Sequence, residues 1–487
     1  MSKTNAYILL IICLLGLWLR VGLGLLLPNI MMPDEIFQTL EQAHRLTYGY
    51  GIIPWEFWVG LRNWLLPMFL ASVMYSTGWL AEGSTGYLIG VVTALSLLSL
   101  TPVVVAYRWG ERVSGTAGAI IAASVCAVWF EFVYFAPKAL SGVVATYALI
   151  PGLYLGCRAR ILESRKTLLW SGILLGTVLA LRFHLAPAII FAFVWICRAD
   201  WRGKWAPMTA GFLIPVLVMG LLDWLTWSYP FQSVFLNIRI NIFEGKSEIF
   251  GVSPWYGYLK MLYKIWSWGM APIVILAVLG ASRYPLPAFV ALIILLTFSI
   301  VPHKEYRFLF PVMSICMLLA GLGAAEVYRL ISDKLSSTLI KQLAATSFVA
   351  FFACLSLVLA PELHPSKTMY PGRLSHWHKH MGSLKGFELL SKEPNVCGVG
   401  IQGISWEETG GYAYLHRDVP LFQLNMENFT TLEPGFNFLL VRTSEFIDFE
   451  TYSQKGCWYG ICLYERPGGC TEFEGYHINN ILKKSGQ

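Results

Sequence analysis

Residues 29–62 read NIMMPDEIFQTLEQAHRLTYGYGIIPWEFWVGLR, and residues 63–80 continue NWLLPMFLASVMYSTGWL. Whether the second stretch crosses a membrane decides the topology of everything after it. If Asn63–Leu80 does not cross, the later turns on the N-terminal side collect Arg108, Arg112, Arg158, Arg160, Arg165, Lys166, Arg198, Arg202, Lys204, Arg283, Arg329 and Lys334. These are nearly all the clustered basic residues, and such residues are retained in the cytoplasm. If the stretch crosses, every one of them flips outward. The charge pattern therefore predicts that Asn63–Leu80 lies along, or dips into, the outer face.

The rest of the chain supports a membrane setting. Of 487 residues, 56% are hydrophobic and 13% charged, half the charged share of a soluble protein, about 25%. That excludes a soluble enzyme, a disordered chain and a nucleic-acid module. The net charge of +7 is unevenly spread: residues 1–360 hold 25 Lys and Arg against 15 Asp and Glu, residues 361–487 hold 11 against 14. Apolar runs at Ala6–Pro28, Tyr87–Tyr107, Ala117–Phe135, Leu140–Cys157, Leu168–Leu181, Leu185–Cys197, Ala206–Trp227, Met261–Ala281, Pro285–Val301, Phe308–Tyr328 and Leu339–Ala360 predict eleven spans. The first carries Arg20 and no small-residue cleavage site, so it reads as an uncleaved span. About 30 residues, Leu168–Cys197, must supply two spans, so both are short or one bends near Pro187.

The predicted fold class is an all-α polytopic membrane protein of about eleven helices, with a small extracytoplasmic C-terminal domain. Residues 1–360 form the transmembrane domain, with outer loops 29–86 and 228–260. Residues 361–487 alternate apolar stretches (NVCGVGI, FNFLLV, WYGICLYE) with turn residues, as an α/β or β-rich domain does. Cys397, Cys457, Cys462 and Cys470 lie in this tail and predict two disulfides in an oxidising compartment.

Under this topology Asp34, Glu35, Glu41, Glu56, Glu131, Glu244, Glu248 and Glu305 all fall on the outer face. Asp34, Glu35, Glu41, His44 and Glu56 crowd one loop. Asp34 and Glu35 after Pro33 also suit a helix N-terminus; the chemical reading is general-base work or acceptor binding. PHKEYRFLFP places His303, Lys304 and Arg307 in one outer turn, against the charge trend. Such cations clamp a phosphate, or else snorkel at the interface. Arg182 and His184 could join them. In FEGKSEIFGVSPWYGY, Glu244, Glu248 and Trp255 have the composition of a sugar site, and equally of an interfacial aromatic belt.

PDEIFQTLEQAH, YGYGIIPWEF and LRNWLLPMFLA together resemble the first outer loop of the dolichol-phosphate-mannose-dependent mannosyltransferases, which build GPI anchors and the N-glycan precursor. PHKEYRF is similar to that family's H-K-E-x-R-F turn. GKSEIFGVSPWYGY looks like its late outer loop, closest to the branch that adds the third mannose of the GPI anchor. Met32, Asn63 and Lys138 stand where the family pattern has His, Ser and Arg. The resemblance covers roughly residues 5–330. It implies a GT-C fold and an inverting transferase in the endoplasmic reticulum membrane, or in the cytoplasmic membrane of a prokaryote. Its partners are a polyprenyl or dolichyl phosphate sugar donor, a lipid-linked glycan acceptor and membrane lipids, with no nucleic acid. His303, Lys304, Arg307 and Arg182 would hold the donor phosphate, and Asp34 would be the base. Glu35, the second catalytic carboxylate, or Glu41 would orient the acceptor, with Glu41, Glu56, Glu244, Glu248 and Trp255 in its site. No cofactor is expected, and no metal is required where the basic turn carries the phosphate charge. The competing class is a transporter or flippase of lipid-linked sugars, which favours ionisable residues at mid-membrane.

Overall fold

Lipid offers no hydrogen bonds, so each apolar segment must satisfy its own backbone, and helices do this. The computed structural model describes residues 2–363, 375–445, 451–473, 475 and 477–485. Among these, seven helices are long and apolar enough to cross a membrane, and Leu65–Leu80, Phe183–Cys197 and Pro285–Ile300 are shorter apolar helices. The 13-residue helix Leu65–Thr77 is about 20 Å long, short of the roughly 30 Å hydrocarbon layer. Leu168–Cys197 is two short helices, Arg165–Leu181 and Ala186–Cys197. They are separated at Arg182–Leu185, just ahead of Pro187, which the first turn of the second helix accommodates.

The chain divides into two compact units: residues 1–23 with 95–371, and residues 24–94 with 372–487. The first outer loop thus shares a unit with the tail.

In the first unit the helix Phe310–Ser332 is almost wholly buried. It packs on Thr101–Val128 and Met270–Arg283 through small residues. A Cβ on Gly323 would sit 1.8 Å from the Leu276 carbonyl oxygen, so these backbones touch, as in other lipid-embedded pairs. Within Thr101–Val128 the dihedrals leave the helical range at Ser114 and Gly115 (φ 63° at the glycine). A Cβ on Gly110 would lie 2.3 Å from the Gly118 carbonyl oxygen, so the chain doubles back there. Arg20 is fully buried and donates to the carbonyls of Gly16, Ala127 and Cys126 at 2.7–2.9 Å. Of these, the Ala127 and Cys126 carbonyls lie in the last turn of Thr101–Val128, where a helix leaves them unpaired.

The second unit holds a five-stranded sheet: β1 Val399–Gln402, β2 Leu421–Leu424, β3 Phe438–Arg442, β4 Ser453–Trp458 and β5 Ile461–Glu465, in the order β2-β1-β3-β5-β4. β1 runs parallel to β2 and β3; β5 is antiparallel to β3 and β4. The parallel centre is covered on both faces and reads as continuous apolar sequence, whereas β4 is an exposed edge carrying Lys455. The tail is therefore α/β. All four of its cysteines are paired, Cys397 with Cys470 and Cys457 with Cys462. Asn428, in an N-F-T glycosylation sequon, uses its side-chain amide in a turn, donating to the Gln423 carbonyl at 3.2 Å and accepting from the Asn425 amide at 2.8 Å. Lys379 joins the tail to the loop: its carbonyl accepts from the Ile30 amide at 3.1 Å, and its Nζ donates to the Met31 carbonyl at 2.8 Å.

Candidate active site

Pro33 has no amide hydrogen to lose at a helix start. The Ile36 and Phe37 amides return to its carbonyl, so Asp34 and Glu35 occupy the first turn, where the helix dipole favours carboxylates. The helix widens into a π turn over Ile36–Leu40 and continues to Tyr48; such bulges cluster at functional sites. Gly49 ends it in the left-handed region, φ 93°. A Cβ on Gly51 would come within 2.4 Å of Arg45 Cγ. The Y-G-x-G pattern is thus a backbone requirement.

The carboxylates of this loop differ sharply. Asp34 is half-buried. Glu35 is buried and accepts from the Met31 amide at 2.9 Å. Glu56, on the turn Trp55–Trp58, accepts from Gln38 Nε2 at 2.9 Å and lies 3.6 Å from the Arg62 guanidinium. Glu41 has no exposed surface, and accepts the amides of Ile52 at 2.6 Å, Tyr412 at 3.1 Å and Ala413 at 2.8 Å. Burial raises its carboxyl to about 7 against the pull of those three bonds and Arg45. His44 donates from Nδ1 to the Tyr50 carbonyl at 3.1 Å, and its Nε2 lies 3.1 Å from His416 Nδ1. Burial, with His416 opposite, lowers it to about 3, so it is neutral.

The tail supplies groups that sequence reading missed. The Trp406 ring stands edge-on to Phe37 at 4.6 Å. Desolvation, then the charges of Asp34, Glu56 and Glu408, raises the next residue's carboxyl, Glu407. Only the W-E-E triplet hinted at this, and nothing local tied it to residue 34.

In the first unit, two motifs some fifty residues apart are stitched together. The Ser253 amide bonds the Pro302 carbonyl at 2.9 Å, His303 Nδ1 the Gly251 carbonyl at 3.0 Å, and Lys304 Nζ the Ser253 carbonyl at 3.2 Å. Lys304 is buried, also donating to the Val301 carbonyl at 2.5 Å, and desolvation lowers its pKa. Glu305 accepts from both His303 at 2.8 Å and Arg307 in a two-pronged pair at 2.5 and 3.0 Å. Burial would raise the Glu305 carboxyl, but Arg307 and His303 hold it well below the usual carboxylate range. The guanidinium groups of Arg182 and Arg307 both lie over the Phe308 ring, at 4.7 and 5.1 Å. Between Glu305 and Arg307, the Tyr306 hydroxyl donates to buried Glu131, which also accepts from Trp129 Nε1 at 2.8 Å and Trp266 Nε1 at 3.1 Å. Glu131 was legible in sequence only as one outer carboxylate among eight. Glu244, Glu248 and Trp255 are exposed, and Glu244 pairs with Arg239 at 2.9 Å.

The Alg9-like mannosyltransferase family matches residues 7–393. GPI mannosyltransferase 3 of Yarrowia lipolytica is 25% identical over 439 residues, 86% of this chain and 76% of that one. Mannosyltransferase APTG1 of Arabidopsis thaliana is 27% identical over 63% of this chain and 57% of its own. GPI alpha-1,2-mannosyltransferase 3 of Bos taurus is 24% identical over 65% and 58%. The chain thus spans three quarters of the first relative and less than three fifths of the other two. Among solved structures, ArnT from Cupriavidus metallidurans bound to undecaprenyl phosphate has a TM-score of 0.59 at 10% identity, over 95% of this chain and 98% of that one. The apo oligosaccharyltransferase of Archaeoglobus fulgidus has a TM-score of 0.50 at 13% identity, over 91% and 70%. Those two likenesses are of fold, a GT-C fold. With its multi-pass helices, its α/β tail and a sequence match through both motif regions, this chain is a membrane glycosyltransferase and belongs to the Alg9-like mannosyltransferase family.

Proposed function

We propose that the chain transfers mannose, with inversion, from a polyprenyl (dolichyl) phosphate to a lipid-linked glycan at the lumenal or outer face of its membrane. The observation that carries this reading is the convergence of Arg182 and Arg307 on one ring, beside buried Lys304. Glu305 already pairs with Arg307; a phosphate brought to this cluster would gain charge-assisted bonds from its cations. A departing phosphate gains negative charge as the glycosidic bond breaks, so these groups favour the transition state over the ground state. His303 and Glu305 fix the orientation of the turn.

In this reading Asp34 takes the proton of the acceptor hydroxyl as its oxygen bonds the anomeric carbon. The carbon–phosphate oxygen bond breaks, and the polyprenyl phosphate leaves on Lys304, Arg307 and Arg182. Glu35 and Glu41 hold the loop's shape, and Glu56 binds acceptor hydroxyls. Glu244, Glu248 and Trp255 form the weaker, exposed part of the acceptor surface. Relatives named GPI alpha-1,2-mannosyltransferase 3 favour a GPI-precursor acceptor, an α-1,2 linkage and an endoplasmic reticulum location. The test is turnover by purified protein with polyprenyl phosphomannose and a panel of mannose-terminated glycolipids. An α-linked product with equimolar polyprenyl phosphate is expected. Donor movement between vesicle leaflets with no product overturns the reading.

A further inference from the structure

The segment Gly49–Pro54 has neither helix nor strand, so its backbone groups must find partners elsewhere. Three come from the helix just before it: His44 bonds the Tyr50 carbonyl, Glu41 the Ile52 amide, and Gln42 the Ile52 carbonyl at 3.1 Å. A further pair comes from a residue more than 400 positions on. Asn479 Nδ2 donates to the Gly51 carbonyl at 2.9 Å, and its Oδ1 accepts from the Ile53 amide at 3.0 Å. One side-chain amide thus copies a strand neighbour. Its helix, Ile478–Ser485, is seated by buried Ile478 and Leu482. Four residues after Asn479, on the same helix face, the Lys483 ammonium lies 5.8 Å from the Trp58 ring centroid. The C-terminal helix therefore grips both ends of Gly51–Trp58, and Glu56 stands between the grips.

We propose that Asn479 is a positioning residue for acceptor recognition, setting the place of Glu56 by pinning Gly51 and Ile53. The proposal rests on the reading of Glu56 as an acceptor ligand. A residue that only ties down the chain end would change protein yield; a positioning residue changes acceptor KM.

The experiment measures steady-state kinetics with octyl α-mannoside as acceptor and a short-chain polyprenyl phosphomannose as donor. Asn479→Ala removes both bonds and is expected to raise acceptor KM about tenfold, with kcat and donor KM near wild type. Asn479→Asp keeps the acceptor for the Ile53 amide and should fall between. Lys483→Ala leaves the amide clamp and should raise acceptor KM about twofold. Asn480→Ala, at an exposed neighbour, should match wild type. Glu56→Gln runs in parallel. If it raises acceptor KM while Asn479→Ala and Asn479→Asp do not, the proposal falls alone. Wild-type acceptor KM in Glu56→Gln sinks the reading of Glu56 and the proposal with it. Should Asn479→Ala yield too little folded protein, Asn479→Asp and Lys483→Ala decide: wild-type acceptor KM in both overturns the proposal.

Discussion

The acidic loop Pro33–Trp58 and the basic turn Pro302–Phe308 are both short polar motifs beside apolar helices, yet they are built in opposite ways. In the basic turn the ion pairing is local: Glu305 pairs with residues two positions away on each side, while His303 and Lys304 also reach the Gly251 and Ser253 carbonyls. The acidic loop is held from outside, its Glu41 reaching Tyr412 and Ala413 and its Ile53 reaching Asn479. Ion pairs whose partners are neighbours keep their geometry as a local string. A motif whose partners lie hundreds of positions away depends on the fold of another region. The contrast also separates charges that are screened and paired from charges whose solvation has been replaced by backbone amides.

The largest expected effect breaks the comparison on its chemical side. Asp34→Asn keeps shape and removes basicity; turnover should fall at least 10²-fold with donor binding near wild type. A rate above a tenth of wild type would remove Asp34 from the role of base. Next comes Arg307→Lys, which keeps the charge and loses the fork that Glu305 accepts. Donor affinity should fall about tenfold, read by titration with polyprenyl phosphomannose; a snorkelling anchor would tolerate the change.

Glu41 sharpens the comparison through stability. Glu41→Gln turns a donor toward backbone amides and should cost about 1–3 kcal/mol, measured by thermal unfolding in detergent. It should also expose a pH dependence. His44, held to about 3, loses stability as pH falls through the unfolded value near 6.5, because the unfolded chain gains a proton that the folded one refuses. Glu41, raised to about 7, has the opposite sign: the folded chain gains its proton first as pH falls toward 4.5. Each of these two terms is worth about 2 kcal/mol between pH 7 and 5, so they offset each other; lowered His416 and His477 add to the His44 side and raised Glu407 to the Glu41 side. The Gln variant should lose about 2 kcal/mol of stability on going from pH 7 to 5; a flat response would show that His44 is not held neutral. The smallest effect belongs to Glu244→Gln, whose partner Arg239 is exposed. Turnover should stay within about twofold, and a larger loss would move the acceptor surface toward that loop.

What could be read in the sequence follows the same division. The basic turn, the helix opened by Asp34 and Glu35 and the α/β tail were legible because each is written in adjacent residues. The short pair within Leu168–Cys197 was legible from length alone, and the break at Arg182–Leu185 falls where the two apolar runs part. Glu131 escaped because its partners Trp129, Trp266 and Tyr306 come from three segments. Asn479 and Glu407 escaped because nothing in a C-terminal helix or a W-E-E triplet says which distant backbone it will meet. The joining of residues 24–94 with the tail was illegible for the same reason.

The bond between Ile53 and Asn479 spans 426 positions, and that separation has a cost in time. Chains are made at about 5–20 residues per second, so the loop emerges roughly 20 to 90 s before its last partner exists. During that interval the Ile53 amide and the Gly51 carbonyl have no Asn479 to bond. A ribosome that stalls late leaves every membrane helix in place and the enzyme unfinished.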